Sequence, residues 1–365
     1  MSIQAAQRMG LSCVSLDPAS DSSASQIADS IIGDLSDPNA IAQLMSTCDA
    51  VTLENEFIPA TAILLAVKQT GFSQDRLVPS IQTLALIQDK LTQREALMRA
   101  GVPSPRACAI GENVRSVVEK IGFPMVLKIR FGGYDGKGTL YAKTEADLDA
   151  MLPIVSQGGW LAEEFVPFRR ELAVMVYRYG PYQGTFPTVE TIQTNHVCDL
   201  VFPAGLDASE IAMNAVEAMD GQGLYGVELF ELDSGELQVN EIAPRPHNTG
   251  HYSLDWGGPS QFEAHIRAVT GMAPAQISSP QSGFVMANLL GVPKARDFRL
   301  GIKAALETPG CFVHWYGKSQ SRPGRKMGHL NVVAAQWDRS LIQSATDARD
   351  QFYQAWSHSD TTNET

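Results

Sequence analysis

The sequence is short of the features that mark secreted, membrane-spanning or nucleic-acid-coating proteins. Its five cysteines, Cys13, Cys48, Cys108, Cys198 and Cys311, lie far apart. They form neither a Cys-x-x-Cys pair nor a metal-ligand spacing, and suit buried thiols in a reducing cytoplasm. No apolar run nears the roughly 18–20 residues of a membrane span. No basic segment followed by an apolar core opens the chain, as a secretory signal would. Positive charge is scarce: 28 Lys and Arg against 40 Asp and Glu give a formal net charge of −12. That balance argues against a general binder of nucleic acid or anionic membranes, so an anionic substrate must be met by local clusters of Lys and Arg. What remains is an ordinary globular composition, 44% hydrophobic and 19% charged over 365 residues. This length allows two or three domains with a sizeable core.

The most informative stretch runs from Gly226 to His251. Two alternating apolar runs flank Asp233-Ser234-Gly235-Glu236, a β-hairpin pattern around a glycine-containing turn. With Ser234 and Gly235 as the central turn residues, Leu232 faces Leu237, Phe230 faces Val239 and Glu228 faces Glu241. Opposed carboxylates on one sheet face repel, and a divalent cation between them would reverse the sign. Mg²⁺ takes one or two protein carboxylates plus phosphate oxygens. On the pair alone, an exposed hairpin whose acids point into water fits as well. The loop that follows adds Arg245, His247, Asn248 and His251 between prolines, and cationic and polar groups beside two carboxylates suit a phosphate–metal site.

Residues 1 to about 100 alternate helical and strand patterns: a helix over Ser2–Met9, strands over Leu11–Leu16 and Ala50–Leu53, and a helix over Ala60–Thr70. Such βα alternation implies a parallel sheet with ligands at the carboxyl ends of its strands. Glu54 and Glu56 follow one of these strands, where helix N-terminal acids are an equally good account. A βα domain of this kind ordinarily begins with a strand and a glycine-rich turn, and the expectation here is a native start upstream of Met1. Asp89 opens an amphipathic helix to Arg99, stopped by Gly101 and Pro103. In the strand Phe123–Ile129, Lys128 sits inside an apolar run, costly to bury without an anion. Gly132-Gly133-Tyr134-Asp135-Gly136-Lys137-Gly138 follows directly. Its four glycines free the backbone to wrap a polyphosphate, although a flexible hairpin loop would look similar. It is not a GxxxxGK[ST] P-loop. Further strands cover Trp160–Phe168 and Leu172–Tyr177, and helices cover Ser209–Gly221 and Ser260–Val269. Near the C-terminus, Arg322, Arg325 and Lys326 surround a Pro-Gly turn and make a local anion site in a net-negative chain. The segment from Ser357 to the end is polar and expected to fray.

Asn240-Glu241-Ile242-Ala243-Pro244-Arg245-Pro246-His247-Asn248-Thr249-Gly250-His251 resembles the metal-binding strand and loop of the ATP-grasp carboxylate–amine ligases. Together with Gly132–Gly138 and Arg322–Asn331, it resembles more narrowly the 5-(carboxyamino)imidazole ribonucleotide synthase family, over nearly the whole chain. The resemblance implies α/β and α+β domains: a Rossmann-like pre-ATP-grasp domain (1–103), an ATP-grasp domain (104–275, with a small lid at about 107–170) and a small β-rich C-terminal domain (276–365). It implies ATP and Mg²⁺ (or Mn²⁺) as cofactors, with Glu228 and Glu241 as metal ligands. The nucleotide would be held by Lys90, Lys128, Gly132, Gly133, Gly136, Lys137, Gly138, the Glu163-Glu164-Phe165-Val166 edge, Glu171, Gln193, Asn240 and Glu241. At Gln193 relatives often carry histidine. Catalytic roles would fall to Lys128, Arg245, Tyr134 and Asp135, and substrate binding to Glu54, Tyr134, Arg245, His247, Asn248, Arg322, Arg325 and Lys326, with Arg245 and the basic turn sharing the ribonucleotide phosphate.

The implied activity is carboxylation of the exocyclic amine of 5-aminoimidazole ribonucleotide with ATP and bicarbonate, through carboxyphosphate, in purine synthesis. Phosphoryl transfer of this kind needs mostly positioning and charge neutralisation. The implied setting is a cytoplasmic homodimer acting on small molecules, with no nucleic-acid or membrane partner. Two rivals differ in kind. A formate-dependent ribonucleotide ligase of the same superfamily should lack the Arg322–Asn331 pattern. A catalytically silent nucleotide-binding protein would have no need of both metal carboxylates.

Overall fold

A computed structural model describes residues 1–111, 114–133, 136–274 and 276–357. The first part alternates helix and strand: α1 (Ser2–Arg8), β1 (Val14–Asp17), β2 (Asp29–Ile32), α2 (Pro38–Met45), β3 (Val51–Thr52), α3 (Ala60–Thr70), β4 (Leu77–Val78) and α4 (Ile81–Gln88). The strands are shorter than the apolar runs that predict them. β1 pairs with β2 and β3 with β4, both in parallel, as two separate two-stranded sheets. Local chemistry sets the helix ends. Asp37 caps α2 ahead of Pro38, Ser80 caps α4, and Gly71 in the left-handed region stops α3. Ile41, Met45, Val51, Ile63, Val67 and Leu84 fill the core of this part.

Helix α5 (Lys90–Arg99), capped by Asp89 through the Leu91 N–H, leads into the segment expected as the lid. That segment comprises β5 (Ala107–Ala109), α6 (Val114–Ile121), β6 (Met125–Ile129), β7 (Thr139–Ala142), α7 (Glu145–Val155) and β8 (Trp160–Glu164). Its antiparallel sheet runs β5-β8-β6-β7, backed by Val117, Ile121, Leu148 and Val155. The expected strand Trp160–Phe168 stops at Glu164, because Pro167 offers no N–H to a ladder.

The remaining elements are β9 (Phe168–Tyr179), β10 (Tyr182–Thr185), β11 (Val189–Thr194), β12 (Val197–Pro203), α8 (Ser209–Ala218), β13 (Gly223–Leu232), β14 (Leu237–Ala243), α9 (Gln261–Thr270), β15 (Gly283–Leu290), α10 (Phe298–Ala305), β16 (Cys311–Trp315), β17 (Lys326–Ala334) and α11 (Ser340–Trp356). They build one nine-stranded sheet in the order β14-β13-β9-β11-β12-β15-β17-β16, with β10 on β9. The C-terminal strands are therefore not a sheet of their own. β12 pairs on both edges, with Leu200 opposite Ala287 in β15, and Leu200, Val201 and Phe202 are all buried. The C-terminal part nevertheless keeps its own core, where α10 and α11 cover Val285, Ala287 and Leu289 with Phe352 and Trp356.

Candidate active site

The β13–β14 hairpin turns through Asp233-Ser234-Gly235. The Leu232 carbonyl accepts from the Gly235 N–H, the Leu232 N–H donates to the Glu236 carbonyl, and Gly235 takes φ +86°. This three-residue turn with a left-handed glycine replaces the two-residue turn expected from sequence. It shifts the adjoining register by one, so Phe230 faces Gln238 and Leu229 faces Val239. A bulge at Asn240 then takes up the extra residue, and Glu228 faces Glu241 as the alternation predicts. The bulge also lets Val239 and Ile242, three apart, enter the same core.

Glu171 belongs to the same face: it pairs with Phe230 while Ala173 pairs with Glu228. Burial, then repulsion from Glu241 and Glu171, pushes the Glu228 carboxyl up to about 7. Burial also raises Glu171, against a hydrogen bond from Gln193 and the attraction of Lys128. Burial works on Glu241 as well, but Lys90, which donates to its Oε1, holds it below the ordinary value. Beside them His247 Nε2 stands 3.6 Å from Glu228 Oε1. Burial, Arg245 and Lys326 keep this imidazole neutral. Its ring packs on Gly226, where a Cβ would come within 2.6 Å of the His247 Cβ. Asn248 and Asn288 exchange side-chain hydrogen bonds, fixing the loop to β15.

Lys128 approaches from the lid, with Nζ 2.7 Å from Glu163 Oε2. Glu163 also accepts from Arg94 Nε at 2.7 Å. Burial alone would raise its pKa, yet the two cations hold it at about 2. Glu164 points away to Arg106, Phe165 is exposed and Val166 buried. In this segment the Glu164 and Phe165 N–H groups donate to the Arg106 and Pro124 carbonyls. In the glycine loop, Gly132, Gly136 and Gly138 have φ of +75°, +74° and +76°, and the Gly138 carbonyl accepts from the Ile129 N–H at 2.8 Å. Tyr134 and Asp135 lie outside the described residues. Lys90, Gln93, Arg94, Lys128, Glu163, Asn240 and Glu241 line one small cavity. A larger one of about 730 Å³, between residues 100–103 and α8, contains no residue expected in the site.

Arg245 and the basic turn, expected to share a phosphate, each hold protein partners here. Arg245 makes a two-pronged pair with Glu56, and Glu54 adds to the field around it. Arg322 and Arg325 bond Gln320 at the exposed turn. Lys326 is the member of that turn whose charge reaches His247, His251 and Glu228. Sequence reasoning missed Glu56 as a clamp, and also Gln93 and Arg94. Lys90, Gln93 and Arg94 at i, i+3 and i+4 carried the signal, a polar face on a helix expected to be amphipathic.

Among the described residues, no group of three or more His, Cys, Asp and Glu side chains converges to hold a metal unaided. The donor set nonetheless fits a divalent cation completed by phosphate oxygens and water. Glu228 and Glu241 face each other, Lys326 and Lys90 only partly offset the charge on Glu228, and among the described residues the buried Asn240 Oδ1 has no partner.

Three family descriptions match in series: the ribonucleotide synthetase preATP-grasp domain over residues 1–88, the ATP-grasp domain over 95–262, and the phosphoribosylaminoimidazole carboxylase C-terminal domain over 285–343. The N5-carboxyaminoimidazole ribonucleotide synthase of Synechococcus elongatus is 38% identical, over 98% of this chain and 92% of its own. The phosphoribosylaminoimidazole carboxylase of Ogataea methanolica is 40% identical over 92% of this chain, which spans only 64% of that longer protein. The crystal structure of the Aspergillus clavatus N5-carboxyaminoimidazole synthase with ADP and 5-aminoimidazole ribonucleotide superimposes with a TM-score of 0.86 at 32% identity, covering 96% of this chain and 95% of that one.

Proposed function

We propose, from the premise that this chain belongs to the N5-carboxyaminoimidazole ribonucleotide synthase family of ATP-grasp enzymes, that it carboxylates 5-aminoimidazole ribonucleotide with ATP and bicarbonate. A bicarbonate oxygen attacks the γ-phosphorus of ATP and ADP leaves, giving carboxyphosphate. The exocyclic amine of the ribonucleotide then takes the carboxyl carbon, phosphate departs and the amine loses a proton. The observation that carries this proposal is the facing pair Glu228 and Glu241 on a sheet face reached by Lys90 and Lys128. Negative charge is concentrated where Mg²⁺ would bind, beside ammonium groups that would meet the ATP phosphates.

Glu228 and Glu241 would hold Mg²⁺, with Asn240 beside them. When bound, Mg²⁺ neutralises charge developing on the transferred phosphoryl group. Lys90 and Lys128 offset the charge of the ATP phosphates, and the glycine loop supplies backbone N–H donors over them. Glu171 accepts from the ribose hydroxyls, oriented by Gln193. His247, neutral and beside Glu228, can accept a hydrogen bond at Nε2 from the ribonucleotide amine and orient it. Arg245 and Lys326 would meet the bicarbonate-derived carboxylate and the ribonucleotide phosphate, with Arg322 and Arg325 at the rim. By family resemblance Tyr134 and Asp135 are assigned catalytic roles, Tyr134 also contacts the ribonucleotide, and the chain assembles as a homodimer. Five unpaired cysteines suit a reducing cytoplasm, and among the described residues no helix is long and apolar enough to cross a membrane. The test is phosphate release from ATP with bicarbonate, with and without 5-aminoimidazole ribonucleotide. Stimulation that requires both, with isotopic bicarbonate entering the product, is expected. Absence of ribonucleotide-dependent turnover refutes the assignment.

A further inference from the structure

Strand β14 ends its side of the nine-stranded sheet, so one edge of its backbone has no strand partner. A bare edge is ordinarily a liability. Here the polar face of α5 takes the place of a strand. Arg94 donates from Nη1 to the Val239 carbonyl at 2.8 Å and from Nη2 to the Asn240 carbonyl at 2.5 Å. Gln93 Oε1 accepts the Ile242 N–H at 3.2 Å. The third Arg94 contact, Nε to Glu163, reaches the acid that also holds Lys128. The Arg94 and Glu163 side chains are 5% and 3% exposed, so both are fixed by these bonds rather than by water.

We infer that Arg94 is a positioning residue that sets the metal carboxylate Glu241 and the phosphate lysine Lys128 relative to each other. It grips the bulge that carries Glu241 and, through Glu163, the ammonium of Lys128. One planar fork thus serves the sheet and the lid at once, and cation and nucleotide meet a preset pair of partners. A lysine cannot substitute, because a point charge cannot span two carbonyls and a carboxylate. The inference rests on the nucleotide–metal assignment above. It adds that a residue touching neither ligand governs how tightly they bind together.

The experiment uses the full chain and R94K, with Mn²⁺ as the probe. Mn²⁺ binding in the presence of ADP is followed by electron paramagnetic resonance, alongside thermal melts in EDTA and steady-state kinetics. Removing an outer partner of a metal ligand typically costs about 10–100-fold in metal affinity. R94K should therefore bind Mn²⁺ with ADP about 10–100-fold more weakly and need a correspondingly higher Mg²⁺ concentration for half-maximal turnover. Its kcat should fall, while KM for the ribonucleotide stays within about twofold. A merely structural arginine would lower the melting temperature and leave Mn²⁺ affinity of the folded protein unchanged. That result overturns the inference. If R94K does not fold, E163Q replaces it, since it keeps both carbonyl contacts of Arg94 and removes the charge shared with Lys128. At least a tenfold loss of Mn²⁺–ADP affinity is expected there, and unchanged affinity is again fatal. Failure of the unmutated chain to bind Mn²⁺ with ADP would instead strike the nucleotide–metal assignment, so the two failures are distinguishable.

Discussion

Replacing Glu228 by glutamine should make the metal-free protein more stable and the enzyme inactive. The side chain lies against Glu241 and Glu171, and its carboxyl is pushed from 4.5 to about 7. At 1.36 kcal/mol per pH unit, keeping it ionised costs the folded state up to about 3 kcal/mol. Water reaches 31% of the side chain, and screening trims this to roughly 1–3 kcal/mol. The sign follows from linkage. A carboxyl with a raised folded pKa binds its proton more tightly in the folded state, so its contribution turns unfavourable as pH rises from about 4.5 and levels off above about 7. In EDTA, E228Q should therefore melt a few degrees above the unmutated protein at pH 8 and nearly with it at pH 4.5. The amide keeps the shape but can neither bind a cation as a carboxylate does nor repel Glu241. Thermal melts at the two pH values, with Mg²⁺-dependent ATP turnover at pH 8, form the assay. If E228Q is no more stable at pH 8 than the unmutated protein, the charge repulsion at the hairpin is not what the geometry implies. If it turns over normally, Glu228 is not a metal ligand.

Three further outcomes are expected. Apparent Mn²⁺ affinity should fall about tenfold per pH unit below about 7 and flatten above it, because a cation must displace the proton on Glu228; titration by paramagnetic resonance between pH 5.5 and 8 reads this directly. E56Q should weaken the hold on Arg245, whose side chain is 21% exposed, destabilising the fold by about 2–4 kcal/mol and raising KM for the ribonucleotide more than KM for ATP, measured by denaturant titration and steady-state kinetics. G138A should raise KM for ATP at least tenfold, since Gly138 has φ +76° and a Cβ there would lie 2.4 Å from Ile129 Cγ2; a nucleotide-binding isotherm checks it.

The facing carboxylates were legible in the sequence as a count from the turn, which two offsetting departures leave unchanged. The path to them was not. The turn holds three residues instead of two, and the Asn240 bulge offsets that difference. The bulge depends on Arg94, 146 residues away in the chain, bonding the Asn240 carbonyl, and no pattern within β14 records that bond. The fate of Arg245 was hidden for the same reason, since Glu56 lies 189 residues away. The helix over Lys90–Arg99 was legible from its Asp89 cap and the glycine beyond it. Its buried face was not, because Gln93 and Arg94 are as buried as Leu91. Charged and amide side chains packed against backbone do not register as apolar periodicity. The β-rich character of the C-terminal part was expected, but neither its helices α10 and α11 nor the union of its strands with the central sheet was.

The helix that covers the outer edge of β14 also governs where this chain can be cut or recombined. The two family matches end at residue 88 and resume at 95, so residues 89–94 fall to neither. Physically they belong with the second part. A fragment starting at Glu95 would lose Lys90, Gln93 and Arg94 and leave two carbonyls and an amide of β14 unanswered, an open template for pairing with another copy. A fragment starting at Ser80 would carry those side chains with it. Chimaeras between relatives should therefore cross over before Asp89 and inherit the helix and the hairpin from the same parent.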